Sequence, residues 1–157
     1  METPHKKIKI LLIDSDEMMR IYFRDIFWIH GRSDTYEITI VASFEEAEKK
    51  LADKETKPDT IFLDVMMSIP GENNSTDEQV KRTMSFIEKV KKNKDLAPLK
   101  IIIFSNQKDG SIKDEICKLG VDGYLVKGEL MPKEIRLPVV LGSSESSDLG
   151  YARGGKA

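Results

Sequence analysis

Short apolar runs alternate along this chain with longer segments in which apolar residues recur every three or four positions. The runs are the length of strands, and most are apolar throughout, which is typical of strands covered on both faces. Strands that alternate with amphipathic helices form parallel sheets through right-handed crossovers. The pattern therefore predicts an α/β fold with a five-stranded parallel sheet. The predicted strands cover residues 8–13, 36–41, 61–63, 100–104 and 121–126.

The helical segments between these strands begin and end at recognisable signals. Side-chain oxygens of Ser, Thr and Asp cap the first turn of a helix, and a Glu or Gln three residues later completes a capping box. Glycine commonly follows the last turn. The signals are Ser15 or Asp16 before a first helix that runs to about His30 and ends at Gly31, boxes starting at Ser43 and Thr76 for the second and third helices, and Gly120 after a short fourth helix.

Polar residues follow four of the five predicted strands. Asp14 and Asp64 come directly after the first and third strands, Ser105 follows the fourth, and Lys127 follows the fifth. In open parallel sheets, ligands bind outside the carboxyl ends of the strands. Two acids, a hydroxyl and an ammonium group at one edge therefore indicate a functional site.

Composition describes an ordinary globular protein. The 157 residues are 39% hydrophobic and 33% charged, with a formal net charge of -2, which argues against binding to nucleic acid through bulk charge. The apolar runs are too short to cross a bilayer, and the first residues lack the apolar core of a signal peptide. We therefore expect a cytoplasmic protein with neither a nucleic-acid nor a membrane partner.

The length suits one folded unit. We expect an N-terminal tail over residues 1–7, a domain over residues 8–141, and a disordered C-terminal tail over residues 142–157 that is rich in Ser and Gly. Pro132 and Pro138 leave only residues 133–137 for a last helix, so a fifth helix would be short or irregular. The polar segment 68–75 predicts a long, mobile loop.

These residues and their spacing resemble a response-regulator receiver domain (CheY-like) of two-component signalling, over about residues 7–135. The resemblance implies the flavodoxin-like, doubly wound fold with strand order 2-1-3-4-5. It also implies a role for each matching residue: Asp64 is the phosphoacceptor, Ser105 the hydroxyl switch residue, Tyr124 the switch aromatic, Lys127 the active-site lysine, and Asp14 the first of the family's paired acids.

By the same resemblance, the chain is a stand-alone receiver that is phosphorylated by a sensor histidine kinase or a phosphotransfer protein. It would signal to an unknown downstream protein by a conformational switch and direct contact, and homodimers are compatible with this role. It would not be a conventional enzyme, apart from self-dephosphorylation. The implied cofactor is Mg²⁺, with oxygen ligands. The implied ligands are Asp14, Asp64 and the backbone carbonyl of Met66, with Asp16 and Ser15 as further candidates.

Three positions depart from the family pattern. Ser15 stands where receivers usually have a second acid, and a hydroxyl is a poorer Mg²⁺ ligand than a carboxylate, so we expect weak Mg²⁺ binding. Gly128 replaces the proline that usually follows the lysine; since a cis bond costs about 3 kcal/mol without proline, this peptide should be trans. No proline follows Met67, where the long loop begins.

Two other functions are compatible with these residues. A pseudo-receiver would keep the fold and act as an interaction module without phosphorylation, as the missing acid at Ser15 indicates. A phosphatase of the haloacid-dehalogenase type would use Asp14 as nucleophile and Asp16 as acid/base, with Ser105 and Lys127 at its later positions. That function would leave Asp64 without a role.

Overall fold

The computed structural model describes residues 6–29 and 35–127, and their backbone alternates strands with helices as the sequence pattern predicts. The elements in chain order are β1 (Ile8–Ile13), α1 (Glu17–Ile29), β2 (Tyr36–Val41), α2 (Phe44–Ala52), β3 (Thr60–Leu63), α3 (Thr76–Lys92), β4 (Lys100–Ser105), α4 (Gly110–Cys117) and β5 (Gly123–Val126).

The five strands form one parallel sheet in the order β2-β1-β3-β4-β5. This confirms the flavodoxin-like fold. Side chains of α2, α3 and α4 pack on one face of the sheet, and those of α1 pack on the other. β1, β3 and β4 lie inside the sheet with both faces covered, and all four residues of β3 are buried.

An aromatic cluster fills the face that α1 covers. The ring of Phe23 on α1 lies 4.9 Å from that of Phe62 on β3 and 5.8 Å from that of Phe104 on β4. All three side chains are fully buried. The cluster fixes the carboxyl end of β4 against α1, because Phe104 is the residue before Ser105.

Most predicted boundaries agree with the structure to within two residues, but the cap of α3 is wrong by one. The capping oxygen belongs to Ser75, which accepts from the backbone N–H of Glu78, and Thr76 is the first helical residue. α2 has the predicted cap, with Ser43 accepting from the N–H of Glu46. Gly120 adopts a φ of 90° after α4, a conformation that glycine adopts at no steric cost.

The loop between β3 and α3, which the sequence predicts to be mobile, makes hydrogen bonds within itself and with α3. The amide of Asn74 both accepts from the N–H of Ile69 and donates to its carbonyl, at 2.9 and 3.0 Å. The guanidinium group of Arg82 on α3 donates to the carbonyl of Asn73 and to the side chain of Asn74. The loop therefore closes into a compact unit against α3.

Some predictions fall outside the described residues: the end of the first helix at Gly31, the peptide bond of Gly128, the fifth helix, the C-terminal tail and residues 1–5. Among residues 6–29 and 35–127, no helix is both long and apolar enough to span a membrane.

Candidate functional site

Strand register brings the two predicted acids together. Ile13 of β1 pairs with Leu63 of β3, and the N–H of Asp64 continues the ladder by donating to the carbonyl of Ile13 at 3.0 Å. Asp14 and Asp64 therefore leave the sheet side by side. Both are buried, although neither belongs to an apolar cluster.

Lys127 follows the edge strand β5, and its side chain extends to both acids. Its backbone N–H donates to the carbonyl of Ser105 at 2.9 Å, which extends the pairing of β5 with β4 beyond the last strand residue. Its Nζ lies 2.6 Å from Oδ2 of Asp14 and 3.5 Å from Oδ2 of Asp64. The ammonium group also lies 5.6 Å from the ring centroid of Phe104, the residue before Ser105. One buried cation is thus shared by two buried carboxylates.

Both oxygens of Asp14 are engaged, which fixes this side chain. Oδ1 accepts from the N–H of Asp16 at 2.9 Å, and Oδ2 pairs with Lys127. Arg20 of α1 donates to the Asp14 carbonyl at 2.9 Å. Burial is the main cause that raises the pKa of Asp14 to about 6, with the charge of Asp64 adding to it and Lys127 opposing it. The site therefore carries a net negative charge when both acids are ionised, because one ammonium group faces two carboxylates.

Asp64 is the more accessible of the two acids. Its side chain is 7% exposed, whereas that of Asp14 has no exposure. Oδ1 of Asp64 accepts from the N–H of Met66 at 3.2 Å, which orients the carboxylate at the start of the loop that follows β3. Its Oδ2 lies 3.5 Å from Nζ of Lys127, which is farther than the 2.6 Å between Lys127 and Oδ2 of Asp14.

Ser105 and Tyr124 are linked through a residue that the sequence does not single out. The hydroxyl oxygen of Ser105 accepts from the N–H of Gln107 at 3.2 Å. The Tyr124 hydroxyl donates to the carbonyl of Gln107 at 2.7 Å. Burial is the main cause that raises the pKa of Tyr124 above its usual value, so its hydroxyl stays a donor at neutral pH. The loop after β4 therefore contacts both predicted switch residues.

Two further candidates for metal ligation, Asp16 and Ser15, make different contacts. The Asp16 carboxylate is at the exposed start of α1, where it accepts from the N–H groups of Met18 and Met19, and so it serves as the helix cap. Ser15 is half-buried, and its hydroxyl accepts from the N–H of Ser68 at 3.0 Å. Ser15 thus connects the loop after β1 to the loop after β3, next to Asp14.

The donor set suits a weakly held divalent cation. Among the described residues, no group of three or more His, Cys, Asp or Glu side chains is arranged to hold a metal. Mg²⁺, however, commonly takes one or two carboxylates and fills its remaining positions with water. Asp14 and Asp64 supply two buried carboxylates, and their mutual repulsion would be relieved by a cation. These residues therefore fit Mg²⁺. An acid at position 15 in place of Ser15 would have added a third carboxylate.

Sequence reasoning missed the residues that hold the two loops. Thr83 of α3 donates its hydroxyl to the carbonyl of Val65 at 2.7 Å, and Gln79 donates to the hydroxyl of Ser68 at 3.1 Å. Both residues are buried polar side chains on the inward face of α3. A polar residue on an apolar helical stripe is the signal that could have identified them.

Comparisons with known proteins give structural matches only. No family model and no curated protein matches the chain. Among solved structures, a response regulator from Thermotoga maritima is 14% identical with a TM-score of 0.66, covering 88% of this chain and all of that one. A signal receiver domain from Clostridium thermocellum is 18% identical with a TM-score of 0.65, covering 87% and 98%. The Mn²⁺-bound form of response regulator Rcp1 is 17% identical with a TM-score of 0.60, covering 80% and 85%. At these identities the matches establish that the chain has the receiver-domain fold.

The raised pKa of Asp14 predicts an unusual pH dependence of stability. A carboxyl group with a folded pKa of about 6 and an unfolded value of 3.8 binds more protons in the folded state, so its contribution to stability falls as pH rises from about 4 to about 6. Asp14→Asn should remove this loss, which is on the order of 3 kcal/mol. Urea unfolding of both proteins across this range, with a chelator present, measures the effect. Parallel stability curves would contradict the assigned environment of Asp14.

Proposed function

We propose that this protein is a phosphoryl-accepting receiver in which Asp64 is the acceptor. The observation that carries the proposal is the convergence of Asp14, Asp64 and Lys127, with one ammonium group 2.6 and 3.5 Å from the two carboxylates. The common fold of the solved receiver domains supports it. Asp64 has the greater exposure of the two acids. Its oxygens also make longer contacts, at 3.2 and 3.5 Å, than those of Asp14, at 2.9 and 2.6 Å, so Asp64 is the better nucleophile.

The proposed reaction transfers a phosphoryl group from a phosphohistidine of a sensor kinase or phosphotransfer protein. A carboxylate oxygen of Asp64 forms a bond to phosphorus, and the bond between phosphorus and the donor imidazole nitrogen breaks. The nitrogen keeps the bonding electrons and is protonated. Such transfers depend mostly on positioning and on stabilising the charge of the phosphoryl oxygens. Lys127 provides a fixed positive charge for that purpose.

Asp14, Asp64 and the carbonyl of Met66 would hold Mg²⁺, with Ser15 beside them. When bound, the ion would offset the negative charge that gathers on the transferred oxygens. Asp14 would orient Lys127 and share in binding the ion, and its burial would limit the access of water to this side of the pocket. The solved structure of Rcp1 in its Mn²⁺-bound form is a precedent for divalent-metal binding in this fold.

Phosphorylation would change the surface through three linked residues, Ser105, Gln107 and Tyr124. A phosphoryl group on Asp64 offers new acceptor oxygens to the Ser105 hydroxyl. Reorienting that hydroxyl would alter its contact with the Gln107 N–H, and the same residue's carbonyl holds Tyr124. The change is a population shift that needs only a few kcal/mol of differential contact. A downstream protein, or a second copy of this chain, would bind the altered surface.

The two alternative functions receive less support. A phosphatase of this type would use Asp14 as nucleophile and Asp16 as acid/base, whereas Asp14 is the acid more tightly paired with Lys127 and Asp16 caps α1. A pseudo-receiver would not need a cation beside Asp64, yet Nζ of Lys127 lies 3.5 Å from its carboxylate. Retaining a buried lysine between two acids is expensive, and phosphoryl transfer gives that arrangement a role.

A protein phosphodonor would find an apolar contact surface beside the acids. Met18 is 71% exposed and Tyr22 is 42% exposed, and Ile21 between them is also exposed. All three lie on α1, which begins three residues after Asp14 and is tied to it by Arg20. Exposed apolar patches of this kind mark sites of protein association.

Loading with a small phosphodonor such as acetyl phosphate tests the acceptor role. We expect one phosphoryl group on the wild type with Mg²⁺ present, released by hydroxylamine, and none on Asp64→Asn, because the substitution removes the nucleophile and keeps the shape. Intact-protein mass spectrometry measures the product, and circular dichroism verifies that both proteins fold. Equal labelling of the two proteins, or none on a folded wild type, would overturn the proposal.

Substitution at position 15 tests the metal site. Ser15→Asp should bind Mg²⁺ about tenfold more tightly than the wild type, because it adds a charged oxygen ligand beside Asp14. Ser15→Ala is the control, since it removes the hydroxyl that holds the Ser68 N–H without adding charge. Calorimetric titration with MgCl₂ gives the three dissociation constants. Equal affinity in the wild type and Ser15→Asp would exclude position 15 from the metal site.

The α1 surface predicts a difference between protein and small-molecule donors. Met18→Ala and Tyr22→Ala should each slow transfer from a phosphorylated histidine phosphotransfer domain by about tenfold, as loss of an interface anchor does. Loading from acetyl phosphate should be unchanged. Leu119→Ala, a half-buried position two residues after α4 on the other face of the sheet, is the control. If phosphoryl transfer from both donors slows equally, the α1 surface affects the site formed by Asp14, Asp64 and Lys127 and does not bind the donor.

A further inference from the structure

A cleft lies between α2 and α3 at the opposite end of the sheet from Asp64. Its volume is about 750 Å³, within the range of small-molecule sites. Its apolar lining comes from the outer surfaces of Leu51, Phe86 and Val90, which belong to the core, and from Ala52 and Leu96. The proposed function uses none of these residues.

Two lysine contacts join segments that line this cleft. Lys89 of α3 lies 3.3 Å from the Glu48 carboxylate of α2. Lys57 in the loop before β3 donates to the carbonyl of Asp95 at 3.1 Å. A cleft bounded in this way suits a compact ligand better than an extended peptide, which would need an open groove.

Positive charge is concentrated around the cleft, although the whole chain has a formal charge of -2. Lys54, Lys57 and Lys89 line the cleft together with two carboxylates. A neighbouring cavity of about 550 Å³ shares Lys54 and Lys57 and adds three more lysines and one more carboxylate. The charged residues added by the neighbouring cavity are Lys6, Lys9, Lys100 and Asp59.

Lys89, which lines the cleft from α3, is available to a ligand at little cost. The Lys89 and Glu48 side chains are 71% and 51% exposed, and ion pairs at such exposure contribute little to stability. A ligand anion could therefore displace Glu48 from Lys89. Lys54 is exposed and makes no hydrogen bond or ion pair with another described residue.

We propose that this cleft binds a small organic anion with an apolar body. The apolar part would lie between α2 and α3 against Leu51 and Val90. The acidic head would bind Lys89 and Lys54. Burial of apolar surface supplies the affinity, and the lysines select the charge. Binding is independent of phosphorylation at Asp64.

Decanoate, kept below its micelle concentration, is a suitable probe, and the whole ¹⁵N-labelled protein reports its binding by amide chemical shifts. We expect saturable shifts confined to the ends of α2 and α3 and the loops that follow them, with a dissociation constant below about 1 mM. Decan-1-ol, which has the same chain and no charge, should bind at least about tenfold more weakly.

Three variants locate the site. Ala52→Phe fills the cleft and Lys89→Glu reverses its charge, and each should weaken decanoate binding by about tenfold or more. Lys81→Glu makes the same charge change at an equally exposed position of α3 outside the cleft, and should bind like the wild type. Since all three positions are on the surface, circular dichroism should show folded proteins.

Other outcomes would overturn the proposal. Absence of saturable shifts would exclude the site, as would equal weakening by Lys81→Glu and Lys89→Glu, which would indicate unspecific attraction. Equal binding of decan-1-ol would remove the role of the lysines. Binding to anionic phospholipid vesicles without any response to free decanoate would assign the lysines to a membrane surface instead.

Discussion

The candidate site depends on one ammonium group that two buried carboxylates share. Removing a charge from water costs several kcal/mol unless a partner compensates for it, and here Lys127 compensates fully for only one of the two acids. It lies 2.6 Å from Asp14 and 3.5 Å from Asp64. Burial, together with the remaining negative charge, raises the pKa of Asp14. The same charge is consistent with a need for a further cation. The proposed phosphoryl acceptor follows from this imbalance, because Asp64 is the less tightly paired and the more exposed acid.

The rest of the fold keeps this arrangement in place. The register of β1 with β3 sets the two acids side by side, and the pairing of β5 with β4 carries Lys127 to them. Phe104 packs beneath the lysine and joins it to the aromatic cluster on α1. On the other face, Thr83 and Gln79 of α3 tie down the loop that follows Asp64. The sheet thus holds the acids, and side-chain hydrogen bonds hold the loop that follows Asp64. A change at Asp64 would therefore be transmitted through the loops first.

The sequence was sufficient to predict the parts of the molecule that depend on hydrophobic pattern. Apolar runs locate the strands, and parallel pairing brings their carboxyl ends to one edge. Asp14, Asp64, Ser105 and Lys127 can therefore be grouped from the sequence alone. Contacts that depend on loop conformation could not be predicted. The link from Tyr124 to Gln107 and the link from Ser15 to Ser68 use backbone groups whose positions no periodicity encodes. The cap of α3 was misplaced because Ser75 and Thr76 are adjacent hydroxyl residues, and only geometry selects between them.

The identity of the nucleophile separates the receiver from a phosphatase that uses Asp14. Borohydride reduces an aspartyl phosphate to homoserine and leaves an unmodified aspartate unchanged. Treatment of the protein loaded with acetyl phosphate, followed by peptide mapping, therefore identifies the acceptor directly. We expect homoserine at position 64 and intact aspartate at positions 14 and 16. Homoserine at position 14, with Asp64 unchanged, would contradict it.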